Sequence, residues 1–162
     1  MPQKKTWLTR LATDNDSEPL LEMVKALLID LGDGTENFDE DRFLHDAFGP
    51  DPQFRVLVAS NPDGELFGYA LFHDSYEPAY AARGVYLADL FVKDQARGSG
   101  LGKQLIAAVA KDAKDRGRSF IWLVSPKEEN QNFYDKTMTV RVDLTAYALT
   151  SEDFEAFAAS VG

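Results

Sequence analysis

The sequence predicts an α/β domain with one mixed sheet and helices packed against it. Three observations carry that reading. Val85 to Val92 (VYLADLFV) is an almost unbroken apolar, β-branched and aromatic run, the pattern of a strand buried on both faces. After a glycine cluster the period changes, and Leu101, Leu105, Ala108, Val109 and Ala113 fall on one face of a helix. Phe120 to Val124 then returns to a strand pattern, parallel to the first by the right-handed crossover rule.

Taken in order, Thr6 to Leu11 alternates and reads as the first strand. Asp14-Asn15-Asp16-Ser17-Glu18-Pro19 is rich in helix-start chemistry. The helix that follows puts Leu20, Val24, Leu27, Leu28 and Leu31 on one side and stops at Gly32. Residues 32–37 form a loop and Phe38 to Phe48 a short helix with Phe43, Leu44 and Ala47 inward. Phe54 to Ala59 and Leu66 to Phe72 make a hairpin about Asn61-Pro62-Asp63-Gly64, and Gly68 marks a bulge or a close backbone approach. His73 to Gly84 reads as an aromatic, proline-bearing loop, whose Tyr76 and Tyr80 suit either an acceptor-pocket wall or packing under the loop. Gly117 sits where a helix C-terminal glycine belongs. Beyond the fifth strand come a short helix from Glu128 to Lys136, a final strand region from Val140 to Leu149, and a last helix with Phe154, Phe157 and Ala158 inward.

Composition bounds the rest. The chain of 162 residues is expected to be a single domain, residues 1–162, large enough to bury a real core. It has no cysteine, which excludes disulfides, a thiolate nucleophile and soft metal sites, and its two histidines, His45 and His73, lack metal-ligand spacing. No metal is expected. No stretch approaches the roughly 18 apolar residues of a membrane span, and the opening residues lead into no signal-peptide core, so the expectation is a cytoplasmic protein without a membrane partner. Net charge is −10, yet residues 93–118 carry seven Lys or Arg against three acids. An acidic protein with a basic segment at its glycine loop suits an anionic ligand there and a cationic one elsewhere, and argues against nucleic acid. A solvated basic helix face is the plainer alternative.

Strand, glycine loop and helix together form a site for phosphate on backbone amides at a helix N-terminus. A tight turn without a ligand would need the same glycines. The Walker pattern fails because Gln104 follows Lys103, and the dinucleotide pattern fails because Gly98, Gly100 and Gly102 alternate. Arg97-Gly98-Ser99-Gly100-Leu101-Gly102 resembles the Q/R-x-x-G-x-G/A acetyl-CoA loop of the GNAT N-acetyltransferases. Tyr86 to Val92 resembles their fourth strand, most closely that of the spermidine/diamine branch, and Asn132-Phe133-Tyr134-Asp135 resembles the helix bearing their catalytic tyrosine.

The resemblance implies a GNAT fold whose fourth and fifth strands splay apart, helped by a β-bulge in the fourth. It implies acetyl-CoA as co-substrate, with pantetheine and the acetyl carbonyl on the backbone of Leu90, Phe91 and Val92. The pyrophosphate would lie on Arg97, Gly98, Ser99, Gly100, Leu101, Gly102 and Lys103, and Tyr134 would be the general acid. A phenol of pKa about 10 can protonate a thiolate whose conjugate acid has a pKa of roughly 8.5, because the transition state shares the proton. The implied reaction is transfer of an acetyl group to a primary amine, a small cationic one, by direct attack in a ternary complex. Protein or aminoglycoside acceptors, or an inactive acyl-CoA sensor, are the alternatives.

Three departures from the family pattern stand out. The branch's Tyr-Leu-Glu-Asp becomes Tyr86-Leu87-Ala88-Asp89, which leaves Asp89 as the one charge in the buried run. Asp89 could be a base, an acceptor-binding carboxylate or a structural hydrogen-bond acceptor. The expectation is mainly structural, Asp89 holding a loop backbone while the amine is deprotonated through ordered water. Strand alternation would put it on the face of Leu87 and Phe91, away from Ala88. The family's asparagine position falls at Lys127, so Asn130 or Asn132 substitutes loosely, Asn130 on the cofactor side. Finally, no glycine follows Tyr134-Asp135-Lys136-Thr137 and the closing strand region is short. The acceptor end would then be rearranged or completed by a second subunit, a homodimer.

Overall fold

The computed structural model describes residues 6–125, 128–139, 142 and 144–160. Two compact units follow one another, Met1–Val124 and Ser125–Gly162. The first holds a five-stranded sheet in the order β1 (Leu8–Leu11), β2 (Arg55–Ser60), β3 (Leu66–Glu77), β4 (Ala82–Val92), β5 (Ile121–Trp122). The first three neighbouring pairs are antiparallel and β4 with β5 is parallel, the mixed sheet the sequence predicts.

Helix α1 (Ser17–Leu31) covers one face and α3 (Leu101–Asp115) the other, with α2 (Glu40–Phe48) following α1. Arg10 grips the buried Asp16 carboxylate through two bonds of 2.7 and 2.8 Å, which fixes the turn from β1 into α1. Gly32, at φ 84°, ends α1 in the left-handed conformation that glycine adopts without strain. From α1, Leu20, Met23 and Val24 pack against Val58, Tyr69 and Leu71 of the sheet. Leu101, Leu105, Val109 and Ala113 fill the other side. Ile106 is buried too, and Ala108, expected inward, is only half-buried.

Gly68 has both features expected of it. The β2–β3 register shifts at Ala59/Ser60, and a Cβ on Gly68 would lie 2.7 Å from the Phe91 carbonyl oxygen and 3.2 Å from a Leu105 methyl. It therefore faces α3, as do Ala70 and Phe72 by alternation, while Tyr69, Leu71 and His73 face the α1 side.

The segment from His73 to Gly84 is not a loop. β3 runs on to Glu77 and β4 starts at Ala82, in register from His73↔Tyr86 to Glu77↔Ala82 around a turn at Pro78–Tyr80. The polar residues that looked like loop chemistry are the two faces of an extended hairpin. Asp74 there binds Arg116 at 2.7 Å and also Arg118, and Arg116 reaches Asp112 on α3 at 2.9 Å. Tyr76 and Tyr80 are exposed near the tip.

The second unit contains α4 (Gln131–Thr137), preceded by a single turn at Glu128–Asn130, and α5 (Ser151–Ala159). Val140, Arg141 and Asp143, in the expected final strand, lie outside the described residues, as do Pro126 and Lys127; Val142 and residues 144–150 are in no strand. Phe154 and Phe157, expected inward, are exposed, because α5 has no apolar surface over that face among the described residues. Among the described residues no helix is long and apolar enough to cross a membrane.

Candidate active site

The parallel pairing of β4 with β5 is confined to Val85↔Ile121 and Tyr86↔Trp122. β4 continues for six further residues, Leu87–Val92, without a β5 partner. Pairing ends at Trp122, and beyond it a row of β4 backbone donors and acceptors has no strand partner among the described residues. Such a row is a template for another extended chain. By the alternation of the ladder, Leu90 and Val92 turn their backbone groups to this row, the Val92 carbonyl taking a bond from Arg97, while Phe91 between them, opposite Tyr69, turns its own to β3. Their side chains do other things: Phe91 is buried against Tyr69, with ring centroids 6.0 Å apart.

The end of the pairing coincides with a bulge. Phe72 pairs with Leu87 but Leu71 pairs with Asp89, so Ala88 is the extra residue. This overturns the face assignment made from alternation. Leu87 lies opposite Phe72 on the α3 side; Asp89 lies opposite Leu71 on the α1 side, with Phe91 but not with Leu87. One inserted residue has moved a carboxylate to the other face of the sheet.

There, Asp89 Oδ2 accepts a hydrogen bond of 3.1 Å from the Tyr69 hydroxyl. The partner is a side chain of the neighbouring strand and not the loop backbone anticipated. Tyr69 is fully buried. Burial pushes the Asp89 carboxyl above the usual carboxylate range, and the Tyr69 donor partly offsets that rise. Burial, then the charge and hydrogen bond of Asp89, drive the Tyr69 phenol far upward, so it only donates.

At the other end of this edge, Asp94 to Ala96 makes a single tight turn and the chain enters the glycine loop. Gly98 and Gly100 have φ of 72° and 86°, conformations that fit glycine, and a Cβ on either would meet nothing within 4 Å. The space above the loop is open. The first amides of a helix have no partner within it; here Gln104 N–H is the first to bond back, to the Gly100 carbonyl at 3.1 Å. Backbone N–H groups and the positive end of the α3 dipole thus converge on open space beside an unpaired strand.

The individual loop side chains divide by role. Arg97 donates from Nε to the Val92 carbonyl at 3.1 Å and pairs with Asp94, which ties the loop to the end of β4. Lys103 is exposed and Gly102 half-buried. Leu101 is buried, so only its backbone can serve a ligand. The Ser99 hydroxyl is likewise committed inward: it donates to the Ala96 carbonyl at 2.6 Å and accepts from the Trp7 indole at 3.1 Å. Trp7 also accepts, at its carbonyl, from the Gln104 side chain at 2.9 Å. Sequence reasoning missed Trp7 and Gln104, since a tie across more than 90 residues leaves no local period.

In the second unit, Tyr134 sits in the middle of α4, its ring edge-on to Phe133 at 5.1 Å, and burial raises its phenol above the ordinary tyrosine range. Asn130 is the residue before α4 and makes no capping bond with its side chain. Of the acids at the start of α2, Asp39 caps the helix and Glu40 pairs with Lys25 at 2.7 Å. No group of acids, histidines or cysteines able to hold a metal occurs among the described residues.

Comparison with known proteins agrees with this geometry. Residues 20–138 match the model of the acetyltransferase (GNAT) family. The chain is 34% identical over 121 residues to a thialysine N-epsilon-acetyltransferase of Sus scrofa, covering 69% of this chain and 70% of that one. It is 34% identical over 130 residues to an L-ornithine N5-acetyltransferase of Arabidopsis thaliana, covering 79% of this chain and 49% of that one. Among solved structures, an integron cassette protein from V. cholerae superposes with a TM-score of 0.75 at 18% identity, over 94% of this chain and 97% of that one. An aminoglycoside acetyltransferase from an uncultured soil metagenomic sample, in complex with sisomicin, gives 0.73 at 16% identity, over 90% and 97%. These two likenesses concern the fold.

Proposed function

The chain belongs to the acetyltransferase (GNAT) family and is an N-acetyltransferase, and we propose that it carries acetyl from acetyl-CoA to the primary amine of a small cationic acceptor in a ternary complex. The observation that carries this reading is the unpaired edge of β4, Leu87–Val92, running directly into a glycine loop with open space above its amides. In this reading pantetheine completes the edge of Leu90, Phe91 and Val92. The pyrophosphate meets the amides from Gly98 to Lys103 with the Arg97 and Lys103 charges nearby, and Asn130 contributes on the cofactor side. Loop glycines that leave room for phosphate, and no Cβ in the way, are what the group requires.

The acceptor reaches the site as an ammonium. A carboxylate that is desolvated and unpaired by any cation among the described residues suits it, so Asp89 takes one ammonium proton. The neutral nitrogen then attacks the thioester carbonyl; the C–N bond forms and the C–S bond breaks. The coenzyme thiolate takes its proton from Tyr134. The second proton shed by the nitrogen restores the Tyr134 phenol through water, and Asp89 releases its proton to solvent. Backbone N–H groups at the bulge stabilise the developing oxyanion. Relatives named for thialysine and ornithine support an amino acid with a side-chain amine, and the chain's net charge of −10 favours a cation. We further read the working form as a homodimer. Coenzyme A release measured with thialysine, ornithine, polyamines and aminoglycosides tests the assignment. Turnover confined to small side-chain amines is expected; release with aminoglycosides alone would reject the small-amine reading, and release with none would reject turnover altogether.

A further inference from the structure

The Ala88 bulge delivers Asp89 to a face that is otherwise apolar. Leu20, Met23 and Val24 of α1, Val58 of β2 and Leu71 of β3 pack there, and none can neutralise a carboxylate or bond to it. Among the described residues no Lys, Arg or His makes an ion pair with Asp89. The other titratable groups on this face of β3 and β4 are His73 and Tyr86, which face each other further along the ladder with ring centroids 5.3 Å apart, and Glu77 at the end of β3. One polar group is aimed at Asp89. It is the Tyr69 hydroxyl, diagonal to it across the β3–β4 pair and wholly shielded from water. A hydroxyl in the core costs free energy unless it is bonded. Nothing in packing requires it, because phenylalanine would fill the same ring volume.

We propose that Tyr69 is a positioning residue for the proton transfer on the acceptor side: its hydroxyl occupies Asp89 Oδ2, fixes the carboxylate plane, and leaves Oδ1 as the oxygen that takes the ammonium proton. The inference rests on the reading of Asp89 as the proton acceptor. Two things follow from one bond. The carboxylate cannot rotate to offer either oxygen, so the accepted proton arrives along one direction. The donor also favours the charged form against the surrounding burial, which keeps Asp89 ionised at a pH where an apolar site alone would protonate it.

The experiment is the pH dependence of kcat at saturating acetyl-CoA and amine for wild type, Tyr69→Phe and Asp89→Asn. Loss of the Tyr69 donor removes support for the carboxylate, so the acidic limb of Tyr69→Phe is expected to move to higher pH by about one unit. Its kcat should therefore fall more at neutral pH than on the alkaline plateau, which a merely structural defect would not produce. Asp89→Asn should abolish the acidic limb. A second variant guards against a folding failure of Tyr69→Phe. Fluorotyrosine incorporated at position 69 is a stronger donor of the same shape and should move the limb to lower pH. A limb that Asp89→Asn abolishes but that neither change at Tyr69 moves would overturn the positioning role alone. A limb that persists in Asp89→Asn would overturn that role together with the reading of Asp89 on which it rests.

Discussion

The Trp7 indole donates to the Ser99 hydroxyl at 3.1 Å, joining the residue just before β1 to the centre of the glycine loop. Ser99 passes the contact on by donating to Ala96, and Gln104 closes the circuit by donating to the Trp7 carbonyl. The loop's shape is therefore set from behind, by the protein, and its front is left to backbone amides. Ser99→Ala should accordingly lower stability, by about 1 kcal/mol or a few degrees in Tm, since intramolecular hydrogen bonds of this kind are worth about that much. Any loss of coenzyme A affinity should track the loosened loop. A large affinity loss at unchanged Tm would show instead that the hydroxyl turns outward to the phosphate.

Gly100 and Gly117 make a matched pair at the two ends of α3. Both have positive φ, 86° and 72°, and a Cβ on either meets open space. Valine at each site should carry a similar strain of about 1–2 kcal/mol, the cost of the left-handed conformation. Only at Gly100 would the side chain stand where phosphate approaches the amides. Calorimetric affinity for coenzyme A should fall by more than tenfold in Gly100→Val and change little in Gly117→Val. Equal affinities in the two folded variants would remove the loop as the cofactor site.

Most of the scaffold could be read from the sequence because each element advertises itself locally. The 85–92 run, the helical period after Leu101 and the stop at Gly32 all appear where expected. The errors share a different cause. Ala88 fits a regular strand as well as a bulge, so the single-residue slip that moves Asp89 across the sheet leaves no mark on composition. The residues from His73 to Glu77 carry polar groups on both faces, which mimics a loop, and their strand character is secured by Arg116 and Arg118, more than forty residues away. The tight turn into α3 was legible from its glycines. Trp7 and Tyr69 were not, since an aromatic ring in a strand predicts burial and says nothing of where its polar atom points.

That same pair of arginines gives a pH prediction. The Arg118 hydrogen bond, followed by that of Arg116, holds the Asp74 carboxyl down at about 2. A carboxylate lowered from an unfolded value of about 3.9 adds stability that is complete above that value and is lost as pH falls toward the folded one. Asp74 is half exposed, so solvent screening limits the gain to about 1 kcal/mol or less. Asp74→Asn should therefore be slightly less stable than wild type at pH 7, with the difference closing between pH 4 and pH 2. Denaturant titrations across that range check it, and a gap that stays constant down to pH 2 would contradict the ion-pair account.

Gly68 supplies a test of the sheet edge itself. A methyl at this position would come within 2.7 Å of the Phe91 carbonyl, a backbone atom that cannot rotate away. Gly68→Ala must push β4 outward or shift α3 through Leu105, and overpacking of this kind costs roughly 1–3 kcal/mol. Since Phe91 lies between Leu90 and Val92, whose backbone groups line the edge read as the pantetheine site, the substitution should raise KM for acetyl-CoA as well as lower Tm. A lowered Tm with KM unchanged would mean that the strain is absorbed by α3 and never reaches the β4 edge.

The leaving-group proton is the remaining step to test. Tyr134 is half-buried in α4 against Phe133, and burial raises its phenol above the ordinary range. A general acid works only while protonated, so a raised value extends activity upward in pH and places the alkaline limb above the usual tyrosine titration. Tyr134→Phe keeps the ring and its contact with Phe133 and removes only the hydroxyl. It should lower kcat by roughly 10²-fold, the usual scale of general acid catalysis, with little change in coenzyme A affinity. What remains of kcat should lose the alkaline limb, because the group that titrates there is gone. Retention of that limb in Tyr134→Phe would assign the acid to another residue, and a wild-type kcat in the variant would show that product release, not thiolate protonation, limits turnover.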